Sequence, residues 1–396
     1  MYAYAFLDEF VLLYPVYAVL FADTGLSGAE ISSLFVIWSV TSFVLEVPSG
    51  VWADTFSRRR LLTLASLPGA AGFALWTYLP SYPSFAVGFV LWGTGNALAS
   101  GALEALVHEE SARAGAAGDY ERLMGRSRAL RTTAVVLATA LAAPVLAAGG
   151  YEALGAASVA ACLLAALAAR SLPETRRPAG DRCGEEDEGP PGGVLRAGLA
   201  EVRREPAVRR ALLLAAVLTG TTALDEYVPL LAASTGVGES SVPLLVLLVS
   251  AGAAAGGWCA GRGTRRLAPV LAAGACCLAA GAAGGHPAGM VLVAAAFGVF
   301  EWALVAADAR LQERVRDRSR ATVTSIAGFG SEVVSVLVFA GYALGSARLE
   351  PGPLLALAAV PYLAVALALA LVPAARRGGR RRGGGERGGR KEPGAR

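Results

Sequence analysis

The fold of this chain is decided by residues 46–62, which read EVPSGVWADTFSRRRLL. This short charged segment separates two long apolar runs, a composition typical of a tight turn between two membrane helices. Gly50 allows helices to pack closely, and Asp54 lies where the first helix should end. The C-terminal end of a helix already carries partial negative charge, so the Asp54 carboxylate needs a positive partner. The candidates are the N-terminus of another helix and the arginines that follow, Arg58, Arg59 and Arg60.

The spacing Gly50-x-x-x-Asp54-x-x-Ser57-Arg58-Arg59-Arg60 resembles the loop motif between helices 2 and 3 of major facilitator superfamily transporters. Those proteins usually carry glycine where this chain has Ser57, and serine is small enough to replace glycine in such a loop. The resemblance in length, hydropathy and repeat structure extends over nearly the whole chain. It implies a twelve-helix fold, transport of a small-molecule substrate by alternating access, and a gating role for this loop, as in bacterial drug exporters.

Composition predicts an all-α membrane protein independently of the motif. Hydrophobic residues make up 55% of the 396, charged residues only 17%, and the mean hydropathy is +0.52, whereas a soluble chain would expose far more charge. Each membrane-spanning helix needs about 20 mostly apolar residues. We expect twelve spans, at 2–22, 30–53, 61–79, 84–107, 127–149, 152–170, 209–233, 241–261, 267–284, 288–309, 321–344 and 353–372.

These spans divide the chain into two six-helix bundles. We expect an N-terminal bundle over 1–170, a polar cytoplasmic linker over 171–208, a C-terminal bundle over 209–372 and a basic, disordered cytoplasmic tail over 373–396. The second half repeats the first at an offset of 206 residues, which places Trp258 on Trp52 and Ala260 on Asp54. Such weak internal symmetry is typical of paired transporter halves.

The distribution of arginine predicts the orientation. Alternate loops are rich in arginine, at 58–60, 113–128, 262–266 and 310–320, whereas the other loops contain only Arg348. By the positive-inside rule the arginine-rich loops and both termini lie in the cytoplasm, so we expect a multi-pass protein of the cell membrane.

Acidic residues inside the predicted spans are candidates for a proton and substrate pathway, because ionisable groups in a membrane are costly and usually functional. They are Asp8, Glu9, Glu46, Glu104, Asp225, Glu226, Glu301 and Glu332. A carboxyl group removed from water binds a proton more readily, which a proton-coupled carrier needs. Two other interpretations stay open. The first helix could begin late and leave Asp8 and Glu9 at the cytoplasmic interface, and any single acid could be a structural residue bonded to a hydroxyl.

This chain lacks the residues on which several other classes of protein depend. The single lysine, Lys391, excludes a Walker A lysine and a retinal Schiff base. Two histidines, His108 and His286, offer little for a metal site or Ser-His catalysis, and the five cysteines show no metal-ligand or disulfide spacing. We therefore expect no cofactor, no metal and no enzymatic activity.

The basic tail after residue 373 superficially resembles an RNA-binding Arg-Gly segment. Directly after a membrane helix, contact with anionic lipid or plain disorder is the better interpretation, so we expect no nucleic-acid partner. We also expect a monomeric protein.

We predict proton-coupled export of a small hydrophobic or amphiphilic compound. Many such exporters of the superfamily have an arginine within helix 4, which this chain lacks over 84–107. The alternatives are uptake or facilitated diffusion of a small metabolite, and a non-transporting sensor or scaffold.

Overall fold

The computed structural model describes residues 1–113, 115, 117–174, 202–261, 266–315 and 320–382. It describes their side chains except at 47–48, 50–51, 53–55, 117, 321 and 372–382. Most of the predicted linker and the end of the basic tail therefore lie outside the described residues, as do the loops at 262–265 and 316–319. The described part is built of helices and short connections, with no strand.

Fifteen α-helices make up this described part. In the first half they are α1 (Tyr2–Glu9), α2 (Tyr17–Asp23), α3 (Gly28–Thr55), α4 (Arg58–Tyr78), α5 (Tyr82–Ala99), α6 (Ala102–Arg113) and α7 (Tyr120–Arg170). In the second half they are α8 (Pro206–Gly220), α9 (Val228–Ser234), α10 (Val242–Trp258), α11 (Leu267–Ala283), α12 (Gly289–Gln312), α13 (Arg320–Ser346), α14 (Pro351–Leu357) and α15 (Ala359–Arg382). Short 3-10 helices lie at Ala117–Asp119, Thr221–Tyr227 and Glu239–Ser241.

Nine helical segments of the described residues are long and apolar enough to cross a membrane. One of them, α7, holds 51 residues, and would be about 77 Å long at 1.5 Å per residue, more than twice the hydrocarbon thickness. It leaves helical geometry at Gly149 and at Gly150, whose φ of 63° suits glycine, so it supplies two spans. The shorter apolar helix α11 and the broken pair α1 and α2 bring the total to the predicted twelve.

The first predicted span, 2–22, is wrong as a continuous helix: it consists of α1 and α2 with an irregular segment between them. Pro15 lies in that segment, and proline has no N–H to complete a helical ladder. The break is buried, so its free backbone groups need partners. The Leu13 N–H donates to Ser158 Oγ at 3.1 Å, which supplies one of them.

The equivalent span of the second half, predicted at 209–233, is also broken. The chain leaves α8, forms the 3-10 helix Thr221–Tyr227 and then continues as α9. The carbonyl of Gly220 at this break accepts a hydrogen bond of 3.2 Å from Ser335 Oγ. Both halves therefore carry an acidic pair at a break in their first span.

Two further spans differ from the prediction. The span predicted at 84–107 is interrupted at Ser100 and Gly101, where the φ of Gly101 is 68°. The last span, predicted at 353–372, is interrupted at Ala358, and its second helix continues to Arg382.

Within each bundle the helices approach closely through small residues. A Cβ atom on Gly256 of α10 would overlap the carbonyl oxygen of Gly298 of α12. In the first half, a Cβ atom on Gly72 of α4 would lie 2.9 Å from the carbonyl oxygen of Gly88 in α5. Larger side chains would separate these helix pairs, so the bundles are held at backbone distance by glycine.

Candidate functional site

A cavity of about 790 Å³ lies between the two bundles. In the first half, all seven helices from α1 to α7 contribute to its walls. In the second half, the walls come from the 3-10 helix Thr221–Tyr227 and from α9, α10, α12 and α15. Both helix breaks border it, because Pro15 and Asp225 line the cavity. The volume falls in the range of about 300–1,000 Å³ that is typical of small-molecule sites.

Most of the predicted acidic candidates meet at this cavity. Those that line it are Asp8, Glu9, Glu104, Asp225, Glu226 and Glu301. The structure does not bring the other two to its wall. Glu46 is exposed on α3, and Glu332 lies on α13 between the bundles.

Asp8 and Glu9 share a basic partner, Arg131 of α7. The Arg131 Nη2 atom lies 3.3 Å from Asp8 Oδ2, and Nη1 lies 3.0 Å from Glu9 Oε1. All three side chains are partly buried and line the cavity. Arg131 is not among the residues predicted for the site, although it carries a sequence signal: it is a basic residue inside the apolar run predicted as the span 127–149.

Among the residues that the structure describes, three side-chain hydrogen bonds join the two bundles along α2, α3 and α13. The pairs are Tyr17 with Glu226, Ser32 with Tyr227, and Ser39 with Glu332. The Tyr17 and Ser39 hydroxyls donate to carboxylate oxygens, and the Ser32 and Tyr227 hydroxyl oxygens are 2.8 Å apart. Tyr17 and Ser39 carry no sequence signal of their own, since hydroxyl side chains are common in membrane helices.

Aromatic packing seals the same side. Phe35 of α3 is fully buried, and its ring centroid lies 5.5 Å from those of both Tyr227 and Phe339. Where α3 begins and α13 ends, a Cβ atom on Gly28 would overlap the side chain of Ser346. These contacts and the three hydrogen bonds form what we call the closed seam. It lies beside the connections 24–27 and 347–350, which are poor in arginine.

The cavity extends away from the closed seam toward the arginine-rich end of the molecule. Glu104 lines it and is exposed, and it belongs to α6, which leads into the connection with Arg113. The structure therefore has a cavity bordered by the closed seam and lined by an exposed carboxyl group toward the arginine-rich side.

The predicted gating loop joins α3 to α4 at the arginine-rich end. Gly50 and Asp54 belong to α3, but the side chain of Asp54 lies outside the described residues, so its partner stays a prediction. Ser57 is the N-cap of α4, because its Oγ atom accepts the Arg60 N–H at 3.2 Å. An N-cap role explains why serine is accepted at this position of the motif.

The side chain of Arg58 is bound inside the first bundle. It forms an ion pair with Glu109 of α6, and its Nη1 atom donates to the Ala105 carbonyl at 3.1 Å. Its backbone N–H donates to Glu174 at 2.7 Å. Arg58 thus ties the loop to α6 and to the start of the linker. Arg59 is partly buried and Arg60 is exposed.

Stacked aromatic rings face the cavity from both bundles. On the first bundle, Trp92 stacks with Trp38 at 5.2 Å and 17° and with Tyr14 at 5.3 Å and 27°. On the second bundle, Phe300 stacks with Tyr362 at 3.7 Å and 4°. All five line the cavity.

The sequence and the fold were compared with those of known proteins. The Major Facilitator Superfamily model matches residues 1–339, whereas no curated protein sequence matches the chain. A bacterial homolog of the human lysosomal transporter Spinster, in an inward-facing and unoccupied conformation, has a TM-score of 0.64 at 16% identity, over 93% of this chain and 92% of that one. The nucleoside transporter NupG has a TM-score of 0.67 at 15% identity, over 93% and 95%. A D-xylose–proton symporter has a TM-score of 0.64 at 14% identity, over 92% and 94%.

At these identities the solved structures show a shared fold, and the family model shows the relationship in sequence. The structural matches extend over more than nine tenths of this chain and of each solved chain. The chain therefore belongs to the major facilitator superfamily, and it is a multi-pass membrane transporter rather than an enzyme.

Proposed function

We propose that this protein is a proton-coupled secondary transporter of the cell membrane, which exports a small hydrophobic or amphiphilic compound by alternating access. The observation that carries the proposal is the cavity between the bundles, lined by six carboxyl groups and shut on one side by the closed seam. An open path on one side only is what one end state of an alternating-access cycle requires.

The closed seam is built to open as a unit. Its hydrogen bonds and ring contacts all run between the bundles, so a rocking motion of one bundle against the other breaks them together. The opposite state would be held at the arginine-rich end, where the loop motif with Asp54 lies. The two breaks beside Pro15 and Asp225 border the cavity and offer positions at which the spans can bend.

Carboxyl groups connect the seam to protons. Two of its three hydrogen bonds end on Glu226 and Glu332. A hydrogen bond to a charged acceptor is stronger than one to a neutral acceptor, so adding a proton to either group changes the stability of the seam. A proton gradient can therefore bias the equilibrium between the two states. The one lysine of the sequence, Lys391, leaves no Walker A motif for ATP hydrolysis as the energy source.

The distribution of arginine supports the orientation that export needs. With the arginine-rich loops and both termini in the cytoplasm, the cavity of this structure faces inward, where an exported compound binds. The same basic loops and the tail would contact anionic lipid, and the transporter would work as a monomer.

The test begins with a panel of toxic compounds given to a strain with and without the protein, followed by the active compounds in proteoliposomes with an internal pH dye. We expect the protein to lower sensitivity and substrate addition to change the internal pH. Glu226→Gln and Glu332→Gln should remove the pH change and leave some substrate exchange. Glu152→Gln, at an exposed position of α7 outside the cavity, is the matched control.

The other outcomes assign the alternatives. Substrate movement without proton movement indicates facilitated diffusion, and inward movement of substrate with protons indicates uptake. A protein that moves none of the compounds is a sensor or a scaffold, and each of these results contradicts the proposal.

A further inference from the structure

We infer that the cavity binds an organic cation with a flat aromatic part, held by carboxylates of both bundles between two aromatic walls. This inference rests on the proposed transport function and names its substrate class. It is carried by three features of the cavity: its charge, its aromatic surfaces and its small supply of other polar groups.

Negative charge dominates the cavity. Six carboxyl groups line it against one guanidinium, that of Arg131, which is the sole basic side chain among the described lining residues. Arg131 is already engaged by Asp8 and Glu9, so it is not free to hold an anionic substrate. In their ionised form the remaining lining acids, Glu104, Asp225, Glu226 and Glu301, repel anions and attract cations.

Two of these acids line the second bundle's side of the cavity without a basic partner. Asp225 belongs to the 3-10 helix Thr221–Tyr227 and Glu301 to α12, and no ion pair of the described residues includes either carboxylate. A carboxylate held away from water without a cation is costly, so a bound cation would stabilise the site. These two acids mark the place for the positive group of the ligand.

Aromatic rings line both sides of the cavity. Phe300, the neighbour of Glu301 in α12, stacks on Tyr362, whose hydroxyl donates to the carbonyl of Thr221, in the 3-10 helix that carries Asp225, at 3.3 Å. Across the cavity, Trp38 and Tyr14 both stack on Trp92. Rings of this kind attract cations through their π faces and stack on flat apolar groups. The Nε1 atom of Trp38 is buried without a hydrogen-bond partner, which leaves one donor on this wall for a polar atom of the ligand.

Neutral, hydroxyl-rich compounds fit the same lining poorly. Recognition of a polyol needs several side chains that both donate and accept hydrogen bonds. The described lining contains one amide side chain, Asn96, and its hydroxyl groups largely donate to backbone carbonyls of their own helices, as Ser66, Thr139 and Ser250 do. Charge and aromatic area, rather than hydrogen-bonding capacity, therefore determine what the cavity selects.

The test compares three probes of similar shape: tetraphenylphosphonium as the cation, tetraphenylborate as the anion and triphenylphosphine oxide as the neutral compound. Binding to the purified full-length protein is measured in detergent by equilibrium dialysis, with protein-free micelles subtracted. We expect the cation to bind at least tenfold more tightly than either other probe. Equal or tighter binding of the anion or the neutral compound overturns the inference.

Variants locate the site. Glu301→Gln should weaken cation binding about tenfold and leave the neutral probe unchanged, and Phe300→Leu should weaken the cation more than the neutral probe. Glu152→Gln is the control for loss of a carboxylate outside the cavity, and unfolding temperatures identify variants that fail to fold. If Glu301→Gln does not fold, Phe300→Leu and the three-probe comparison still decide. Unchanged cation affinity in folded Glu301→Gln and Phe300→Leu overturns the assignment.

A transport measurement separates this inference from the proposed function. Selective cation binding without movement of the cation in proteoliposomes supports the site and contradicts transport. Proton-driven movement of the anionic or neutral probe alone supports transport and overturns the cation site.

Discussion

The closed seam can be tested by removing a single hydroxyl group. Tyr17→Phe deletes the donor to Glu226 and keeps the ring that packs against Phe35, Trp76 and Phe89. The hydrogen bond exists only while the bundles are closed on the arginine-poor side. Its loss should therefore destabilise the state seen here relative to the state that opens to that side.

The expected size follows from the type of bond. A hydrogen bond to a charged acceptor contributes about 1.5–3 kcal/mol net. That range shifts a two-state equilibrium roughly ten- to hundredfold at about 1.4 kcal/mol per decade. Ser39→Ala removes the second carboxylate contact, to Glu332, from a different helix. The two shifts should add within about 0.5 kcal/mol because the contacts share no partner.

The assay is labelling of a reporter thiol from each side of the membrane. Ser250→Cys in a background without the native cysteines places the thiol on the cavity wall, where Ser250 is exposed and bonds only to a backbone carbonyl of its own helix. Tyr17→Phe should raise labelling from the arginine-poor side and lower it from the other. Tyr82→Phe is the matched control, since its hydroxyl shares a 2.9 Å hydrogen bond with Ser33 inside the first bundle. An unchanged labelling ratio in Tyr17→Phe, or an equal shift in Tyr82→Phe, would refute the role of the seam.

Three further predictions follow from the loops and the cavity. Reporters fused after Pro173 should be cytoplasmic and reporters inserted near Gly238 should be external; an external reporter after Pro173 would contradict the arginine-based orientation. Asp54→Asn should shift the equilibrium toward the inward-facing state by up to about 2 kcal/mol, or roughly thirtyfold, and slow transport while expression stays near normal. Normal turnover with unchanged thiol labelling would show that Asp54 merely ends a helix. Arg131→Gln should lower the free energy of unfolding by about 1–3 kcal/mol, seen as a lower unfolding temperature, because it leaves Asp8 without its basic partner. The double variant with Asp8→Asn should recover part of that loss, and no recovery would mean that the ion pair does not stabilise the fold.

Membrane class, helix count and internal symmetry could be predicted from the sequence because they depend on local composition. Each span needs only enough apolar residues in a row, and the Gly149–Gly150 turn that divides α7 follows from residues next to each other in the chain. The acidic residues are functional candidates on the same local grounds, because a carboxyl group inside an apolar run is unusual whatever it contacts. Six of the eight then lie on one cavity.

The tertiary structure alone decided which groups act together. Tyr17 and Glu226 are far apart in the chain, as are Ser39 and Glu332, and their pairing depends on how the bundles close. Hydropathy predicts the first and seventh spans as continuous helices, whereas the structure breaks both and satisfies backbone groups at the breaks with Ser158 and Ser335 of distant helices. Hydropathy is a property of each segment, whereas a hydrogen bond between segments depends on the packing of both, so the sequence identifies the spans and the fold assigns their partners.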